Sequence, residues 1–126
     1  MIRKMNSYDP DTSRPVDWLQ TDEGERVEMV VSYHRRKKIH SPNEQLHAVI
    51  HVVVENQLAL GEKVVLETLA RLQKEGLSRH DALHAVGSVL AADLYELMQS
   101  PEATGDAYRR YLERLKELTA KSWRAG

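Results

Sequence analysis

The helical character of the chain is clearest in residues 41–61, which read SPNEQLHAVIHVVVENQLALG. Ser41 can cap a helix, Pro42 suits the first helical position, and Glu44 can reach back to close a capping box. Gly61 is a typical residue just beyond the C-terminus of a helix. The stretch therefore predicts one long helix that ends at the residue before Gly61.

Other segments carry apolar residues at helical spacing between start and stop signals. Beside the helix that ends at Leu60, the predicted helices run from an N-cap at Thr21 to Lys38, from Glu62 to Lys74, from a cap at Ser78 to Gln99, and from Asp106 to Lys121. Their inward residues are expected to be Val27, Val30, Val31 and His34, then Leu66, Leu69 and Leu72, and finally Tyr108, Tyr111, Leu112, Leu115 and Leu118. No segment alternates like a strand. The sequence predicts an all-α protein, a small antiparallel helical bundle of four to five helices.

The domain organisation follows from length and from the uneven distribution of apolar residues. A chain of 126 residues is the size of one domain. Residues 1–14 have no apolar periodicity, so they are predicted to form a flexible N-terminal arm. Residues 15–126 are predicted to form a single helical-bundle domain, with a short helical turn at Pro15–Leu19 that docks Trp18 on the core.

Composition excludes several classes of protein. The 18 basic and 19 acidic residues give a net charge of −1, so no overall positive field favours nucleic acid. There is no cysteine, which excludes disulfides and thiolate metal sites. The N-terminus lacks the apolar stretch of a signal peptide, and no apolar run is long enough for a membrane span. We therefore expect a cytoplasmic protein with no membrane partner.

Two H-x-x-x-H pairs are the strongest functional signal. His47 and His51 are four residues apart on one predicted helix, as are His80 and His84 on another, so each pair shares one helix face. Glu55 continues the first face by one more turn. If the two helices face each other, four imidazoles and one carboxylate would form a site for a transition metal ion, namely iron, zinc, nickel or manganese.

Nearby polar residues extend this hypothesis without defining a reaction. Gln57, Asp81 and Ser88 are candidates to orient the imidazoles by hydrogen bonds, and His34 and His40 could extend the site. Neither pair contains the glutamate of the metalloprotease motif H-E-x-x-H. An open coordination position would allow hydrolytic or redox chemistry, but the sequence does not indicate whether the chain is an enzyme.

Two alternatives remain open. The chain could be a non-enzymatic interaction or scaffold protein, a homodimer in which the histidines form a buried hydrogen-bond network; apolar side chains on both sides of the helix that carries His51 favour such self-association. The basic run from Arg35 to Lys38 could contact nucleic acid, but it fits better a solvated helix end whose cations complement the helix dipole.

A family resemblance involves the same histidines. The stretch from His47 to Leu58, with His51, Glu55 and Gln57, followed by His80-Asp-Ala-Leu-His84-Ala, resembles a bacterial family of unknown function, the domain of unknown function numbered eighteen forty-one. The resemblance covers residues 46–97. This chain departs from the family pattern at Glu55-Asn56, since the family has the acid one place later. The resemblance implies a functional histidine set and no particular reaction.

Overall fold

The structure is a computed structural model that describes residues 8–12, 15–37, 43–100 and 104–125. Seven α-helices and no strands lie within these ranges: α1 (Pro15–Leu19), α2 (Glu23–Arg36), α3 (Glu44–Ala59), α4 (Lys63–Lys74), α5 (Arg79–Gln99), α6 (Thr104–Glu117) and α7 (Ala120–Ala125). The predicted all-α helical bundle is confirmed, with more helices than the expected four to five. Among the described residues, none of these helices is long and apolar enough to traverse a bilayer.

The chain divides into two compact units. Unit 1 is Met1–Glu62 and contains α1 to α3, and unit 2 is Lys63–Gly126 and contains α4 to α7. Of the predicted flexible arm, residues 1–7, 13 and 14 lie outside the described part of the chain. The arm over residues 1–14 and the single domain over residues 15–126 both stay predictions.

Aromatic side chains form the centre of unit 1. Trp18 on α1 has no exposed surface, which confirms that it docks on the core, and Tyr8 is only 1% exposed. The ring of Tyr8 lies 5.4 Å from that of Trp18 and 6.0 Å from that of Tyr33 on α2. Small and branched side chains such as Val30 and Val52 complete the cluster. Tyr8, which the sequence placed in the arm, is therefore a core residue.

Asn56 on α3 joins α1 and α2 to α3. Its side-chain oxygen accepts hydrogen bonds from Trp18 Nε1 at 2.8 Å and from an Arg26 guanidinium nitrogen at 2.9 Å. Arg26 also donates to the carbonyl oxygens of Thr21 at 2.8 Å and Leu19 at 3.2 Å. These bonds hold the C-terminal end of α1 against the neighbouring helices of unit 1.

Two predicted helix starts are wrong by one or more residues. The N-cap of α2 is Asp22, whose carboxylate accepts from the backbone N–H of Gly24. The predicted cap, Thr21, donates its hydroxyl to the Asp17 carbonyl instead, which ties it to α1.

The N-cap of α3 is Asn43, which accepts from Leu46 N–H. Glu44 is then the first residue of the helix, too close to the cap to close a capping box, and it pairs with Arg35 at 2.8 Å. The predicted cap residues Ser41 and Pro42 lie outside the described residues.

The C-terminus of α3 follows the prediction closely. Leu60 is the C-cap, and Gly61 has a φ of 81°, the left-handed conformation that glycine adopts without a steric penalty. Gly61 N–H donates to the Leu58 carbonyl, and Glu62 N–H donates to the Gln57 carbonyl at 2.9 Å. These bonds satisfy carbonyl groups that the end of the helix would otherwise expose.

In unit 2, the buried face of α4 includes two of the three predicted residues. Leu69 and Leu72 are buried as expected, but Leu66 is 43% exposed, so its predicted inward position is wrong. Val65 and Thr68 are buried instead, and together with Leu69 and Leu72 they form one helix face at three- and four-residue spacing. The predicted cap of α5 is confirmed, since the Ser78 side chain accepts from Asp81 N–H at 3.0 Å.

The last predicted helix is two helices. α6 ends at Glu117 and α7 begins at Ala120, with Thr119 and Ser122 exchanging side chain-to-backbone hydrogen bonds at 3.0 and 3.1 Å. This reciprocal cap starts a new helix where the sequence predicted a continuous one. Trp123 on α7 is half-buried.

Two charged side chains on α4 bind the backbone at this break. Arg71 donates to the carbonyl oxygens of Leu118 at 2.6 Å and Leu115 at 3.1 Å, at the end of α6. Glu75 accepts from the backbone N–H of Ala120, the first residue of α7, at 2.8 Å. The positive charge of Arg71 therefore lies at the carbonyl end of α6, and the negative charge of Glu75 lies at the amide end of α7. Both placements are the ones that the helix dipole favours.

The buried face of α6 also departs from prediction. Tyr111 and Leu115 are buried as expected. Tyr108 is 50% exposed, so its predicted inward position is wrong.

Candidate metal centre

Both predicted H-x-x-x-H pairs lie on well-formed helices, one in each unit. His47 and His51 lie on α3 with ring centroids 6.4 Å apart, and His80 and His84 lie on α5 with centroids 4.2 Å apart. His51 is buried, and the other three are half-buried. Each pair shares one helix face, as the four-residue spacing requires.

His34 on α2 joins the histidine pair of unit 1. Its ring centroid lies 4.7 Å from that of His47 and 5.4 Å from that of His51. His34 Nδ1 is 2.8 Å from the carbonyl oxygen of Val30, one turn earlier. Because a carbonyl can only accept, Nδ1 carries the proton, and the neutral ring has its lone pair on Nε2. Histidines that bind metal ions commonly have such a partner on the second ring nitrogen.

His47 forms a hydrogen bond with Nε2 of His34. The Nε2 atoms of His47 and His34 are 3.2 Å apart. Since Nε2 of neutral His34 can only accept, His47 Nε2–H is the donor of this bond. Burial lowers the pKa of His47, and the nearby positive charge of His34, when protonated, lowers it further. His47 is therefore the hydrogen-bond partner of the nitrogen that His34 would offer to an ion.

Tyr8 links His51 to Glu55. The Tyr8 hydroxyl donates to a Glu55 carboxylate oxygen at 2.6 Å and lies 2.6 Å from His51 Nε2. All three side chains are buried, with exposed fractions of 1%, 4% and 3% for Tyr8, His51 and Glu55. A phenol has one proton, so the hydroxyl that donates to Glu55 must accept from His51 Nε2–H. This arrangement leaves the lone pair of neutral His51 on Nδ1.

Four histidines are the candidate metal ligands among the described residues: His34 and His51 in unit 1, and His80 and His84 in unit 2. Within unit 1, one ring nitrogen of His34 lies within 4.8 Å of one of His51, and the same limit holds within the pair of unit 2. Two nitrogens bound at about 2.1 Å to one tetrahedral ion are about 3.4 Å apart. Small ring movements would therefore bring either pair to ligand distance.

The predicted accessory residues have different positions. Glu55 reaches His51 through Tyr8, as described above. Gln57 is half-buried, and Asp81 and Ser88 are exposed. The Ser88 hydroxyl donates to the carbonyl of Ala85 in its own helix at 2.7 Å. That Gln57, Asp81 and Ser88 orient imidazoles stays a prediction, as does the direct role of Glu55 and His47 as ligands.

The basic run at the end of α2 is described as far as Lys37. Arg35 pairs with Glu44, both side chains being exposed, and Lys37 Nζ lies 6.0 Å from the centroid of the Tyr33 ring. Lys38 and His40 lie outside the described residues. Contact between this run and nucleic acid stays a prediction.

Comparisons with protein-family models, with curated proteins and with solved structures find no match. The resemblance to the bacterial family of unknown function stays a prediction.

Two residues of the candidate site in unit 1 were poorly indicated by the sequence. Tyr8 lies before the first periodic segment, so no helical pattern ties it to the core. His34 was expected on the inner face of its helix, but only as an extension of a site formed by other histidines. Its place on the predicted inner face of that helix was the available signal.

Proposed function

We propose that the chain binds transition metal ions through its histidines, with His34 and His51 as the ligands in unit 1 and His80 and His84 as the ligands in unit 2. The observation that carries this proposal lies in unit 1. His34 and His51 each donate one ring N–H in a buried hydrogen bond, so the lone pair of each neutral ring lies on the other nitrogen. In His34 this nitrogen accepts from His47, and an ion would take the place of that hydrogen bond. This is the arrangement that orients imidazoles for metal ligation and makes them more basic.

The chemistry of the ligand set favours a particular range of ions. Imidazole suits iron, nickel and zinc, whereas an oxygen ligand such as the Glu55 carboxylate would favour harder ions such as manganese. Bound to the protein, such an ion would supply Lewis acidity or redox activity. The chain's own contribution is the fixed orientation of the rings and, in unit 1, shielding from water, since His34 and His51 are buried.

The test is metal analysis of protein purified without chelator or affinity metal, followed by titration with Zn²⁺, Fe²⁺, Ni²⁺ and Mn²⁺. We expect stoichiometric binding of at least one of these ions, with the ion of unit 1 lost in His51→Ala and the ion of unit 2 lost in His84→Ala. Tyr95→Phe is the control on α5, since this tyrosine is 65% exposed. The absence of stoichiometric metal, or its retention in both histidine variants, would contradict the proposal.

A second comparison distinguishes His34 from His47 as a ligand. We expect His34→Gln to lose the ion and His47→Gln to keep it, because His47 occupies the hydrogen-bonded position beside the His34 lone pair. The opposite result would favour the ligand set predicted from the sequence, in which His47 and His51 bind together.

The scaffold alternative is favoured by a separate observation. The Tyr8–His51–Glu55 and His34–His47 hydrogen bonds already give these buried and half-buried polar side chains partners within unit 1. Without a metal, a homodimer remains the candidate, and the exposed apolar Leu46 and Val49 on α3 support self-association. Light scattering of metal-free protein tests it: a dimer lost in Val49→Glu supports this alternative, and a monomer contradicts it.

A further inference from the structure

Tyr8 is placed to control which nitrogen of His51 is available to a ligand. We propose that Tyr8 is a positioning residue that holds His51 as the Nε2–H tautomer, so that His51 offers Nδ1; the consequence for metal binding rests on the function proposed above. The Tyr8 hydroxyl lies 2.6 Å from both His51 Nε2 and the Glu55 carboxylate.

The direction of the proton follows from Glu55. A carboxylate has no proton to give, so the Tyr8 hydroxyl donates to it and is left with a lone pair for His51. His51 must then place its own proton on Nε2. Free imidazole exchanges its proton between the two nitrogens, and the second hydrogen bond is what selects one tautomer. Glu55 thus acts on His51 through the intervening tyrosine.

Packing fixes the tyrosine in this role. Tyr8 is 1% exposed, and its ring lies 5.3 Å from that of His51 at an interplanar angle of 88°. On another side it packs on Trp18 at 5.4 Å. The hydroxyl therefore has little freedom to leave His51, and both short hydrogen bonds form in a site with little water to compete.

The two ligand histidines of unit 1 then differ in the atom they present. His34 donates Nδ1–H to the Val30 carbonyl and offers Nε2. His51 donates Nε2–H to Tyr8 and offers Nδ1. For His34, a carbonyl of its own helix determines which nitrogen carries the proton. For His51, the side chain of Tyr8, which is distant in sequence, determines it. A single substitution at residue 8 should therefore change His51 and leave His34 unaffected.

The first test uses metal-free protein at about pH 8, where histidines with ordinary pKa values of about 6.5 are neutral. Proton–nitrogen correlation spectra of histidine-labelled protein report the tautomer of each ring. We expect only the Nε2–H tautomer at His51 in the wild type, a mixture of both tautomers in Tyr8→Phe, and an unchanged Nδ1–H tautomer at His34. Tyr33→Phe is the matched control, since it removes a hydroxyl from the same aromatic cluster and should leave His51 unchanged.

A second variant keeps the test decisive if Tyr8→Phe does not fold. Glu55→Leu replaces the carboxylate by an apolar side chain, a change that buried charged sites often tolerate. The Tyr8 hydroxyl would then turn its proton toward His51 Nε2, and His51 should switch to the Nδ1–H tautomer. An Nδ1–H tautomer at wild-type His51, or an unchanged tautomer in these variants, would overturn the inference.

The second test measures Zn²⁺ affinity by competition with a chelating dye. We expect Tyr8→Phe to weaken binding by about 10- to 100-fold, the usual effect of removing the partner of a ligand histidine. Tyr33→Phe should bind as the wild type does, and equal affinities in wild type and Tyr8→Phe would refute this part. The tautomer experiment contains no metal, so a wild type that binds no Zn²⁺ refutes the proposed function without affecting the assignment of Tyr8.

Discussion

Replacing Asn56 by leucine should destabilise unit 1 by about 1.5–3.5 kcal/mol. The substitution removes the acceptor of Trp18 Nε1–H and of Arg26 while keeping a similar side-chain size. Trp18 has no exposed surface, so its N–H would be left buried without a partner, at a cost of about 1–3 kcal/mol. Arg26 is half-buried and keeps its hydrogen bonds to the Thr21 and Leu19 carbonyls. The loss of its bond to Asn56 therefore contributes only about 0.5 kcal/mol.

Urea denaturation followed by circular dichroism measures this change, with ΔΔG taken from the transition midpoint at constant slope. Gln45→Leu is the matched control, because Gln45 is exposed on the same helix and should shift stability by less than about 0.5 kcal/mol. A double-mutant cycle with Trp18→Phe should give a coupling energy of about 1 kcal/mol between residues 18 and 56. If Asn56→Leu behaves like the control, or if the two substitutions are additive, Asn56 does not connect α1 to α3 as the structure indicates.

Two further predictions concern the break between α6 and α7. Arg71→Met should destabilise unit 2 by about 1–3 kcal/mol, because Leu118 and other carbonyls at the end of α6 lose a charged donor; hydrogen exchange should accelerate most near this break, and uniform exchange across unit 2 would contradict the assignment. The bond from Ala120 N–H, followed by the charge and hydrogen bond of Arg71, lowers the pKa of Glu75 below its usual 4.5. The folded state therefore favours the carboxylate, and this contribution is present above the unfolded pKa and is lost as pH falls through the folded value. The difference in the free energy of unfolding between wild type and Glu75→Gln should therefore become smaller as pH falls from about 6 to about 3. A difference that stays constant over this range, measured by urea denaturation, would refute the prediction.

The helices were predictable where local signals were strong. Ser78 is the cap of α5 because its hydroxyl is three residues before the N–H it accepts from, and Gly61 ends α3 because it can adopt a positive φ. The start of α2 was predicted wrongly because two local signals compete there. Thr21 and Asp22 are both good caps, and the choice depends on the contact between Thr21 and Asp17, which the sequence pattern does not reveal.

The site was predictable only in part, because its parts are close in space and distant in sequence. The two H-x-x-x-H pairs follow from helix geometry alone. The partner of His51 does not: Tyr8 is 43 residues away in the chain, and its hydrogen bonds depend on how the N-terminal segment packs on α3. The break after Glu117 similarly depends on Arg71 and Glu75, which lie on another helix.

The positions of the two tryptophans give each half of the chain its own optical probe. Trp18 is fully enclosed in unit 1, and Trp123 is half-exposed on the last helix of unit 2. Because the chain has only these two tryptophans, Trp123→Phe leaves an emission signal that comes from residues 1–62 alone, and Trp18→Phe leaves one from the remainder. Melting curves of the two variants would show whether the halves lose their structure at one temperature or in succession.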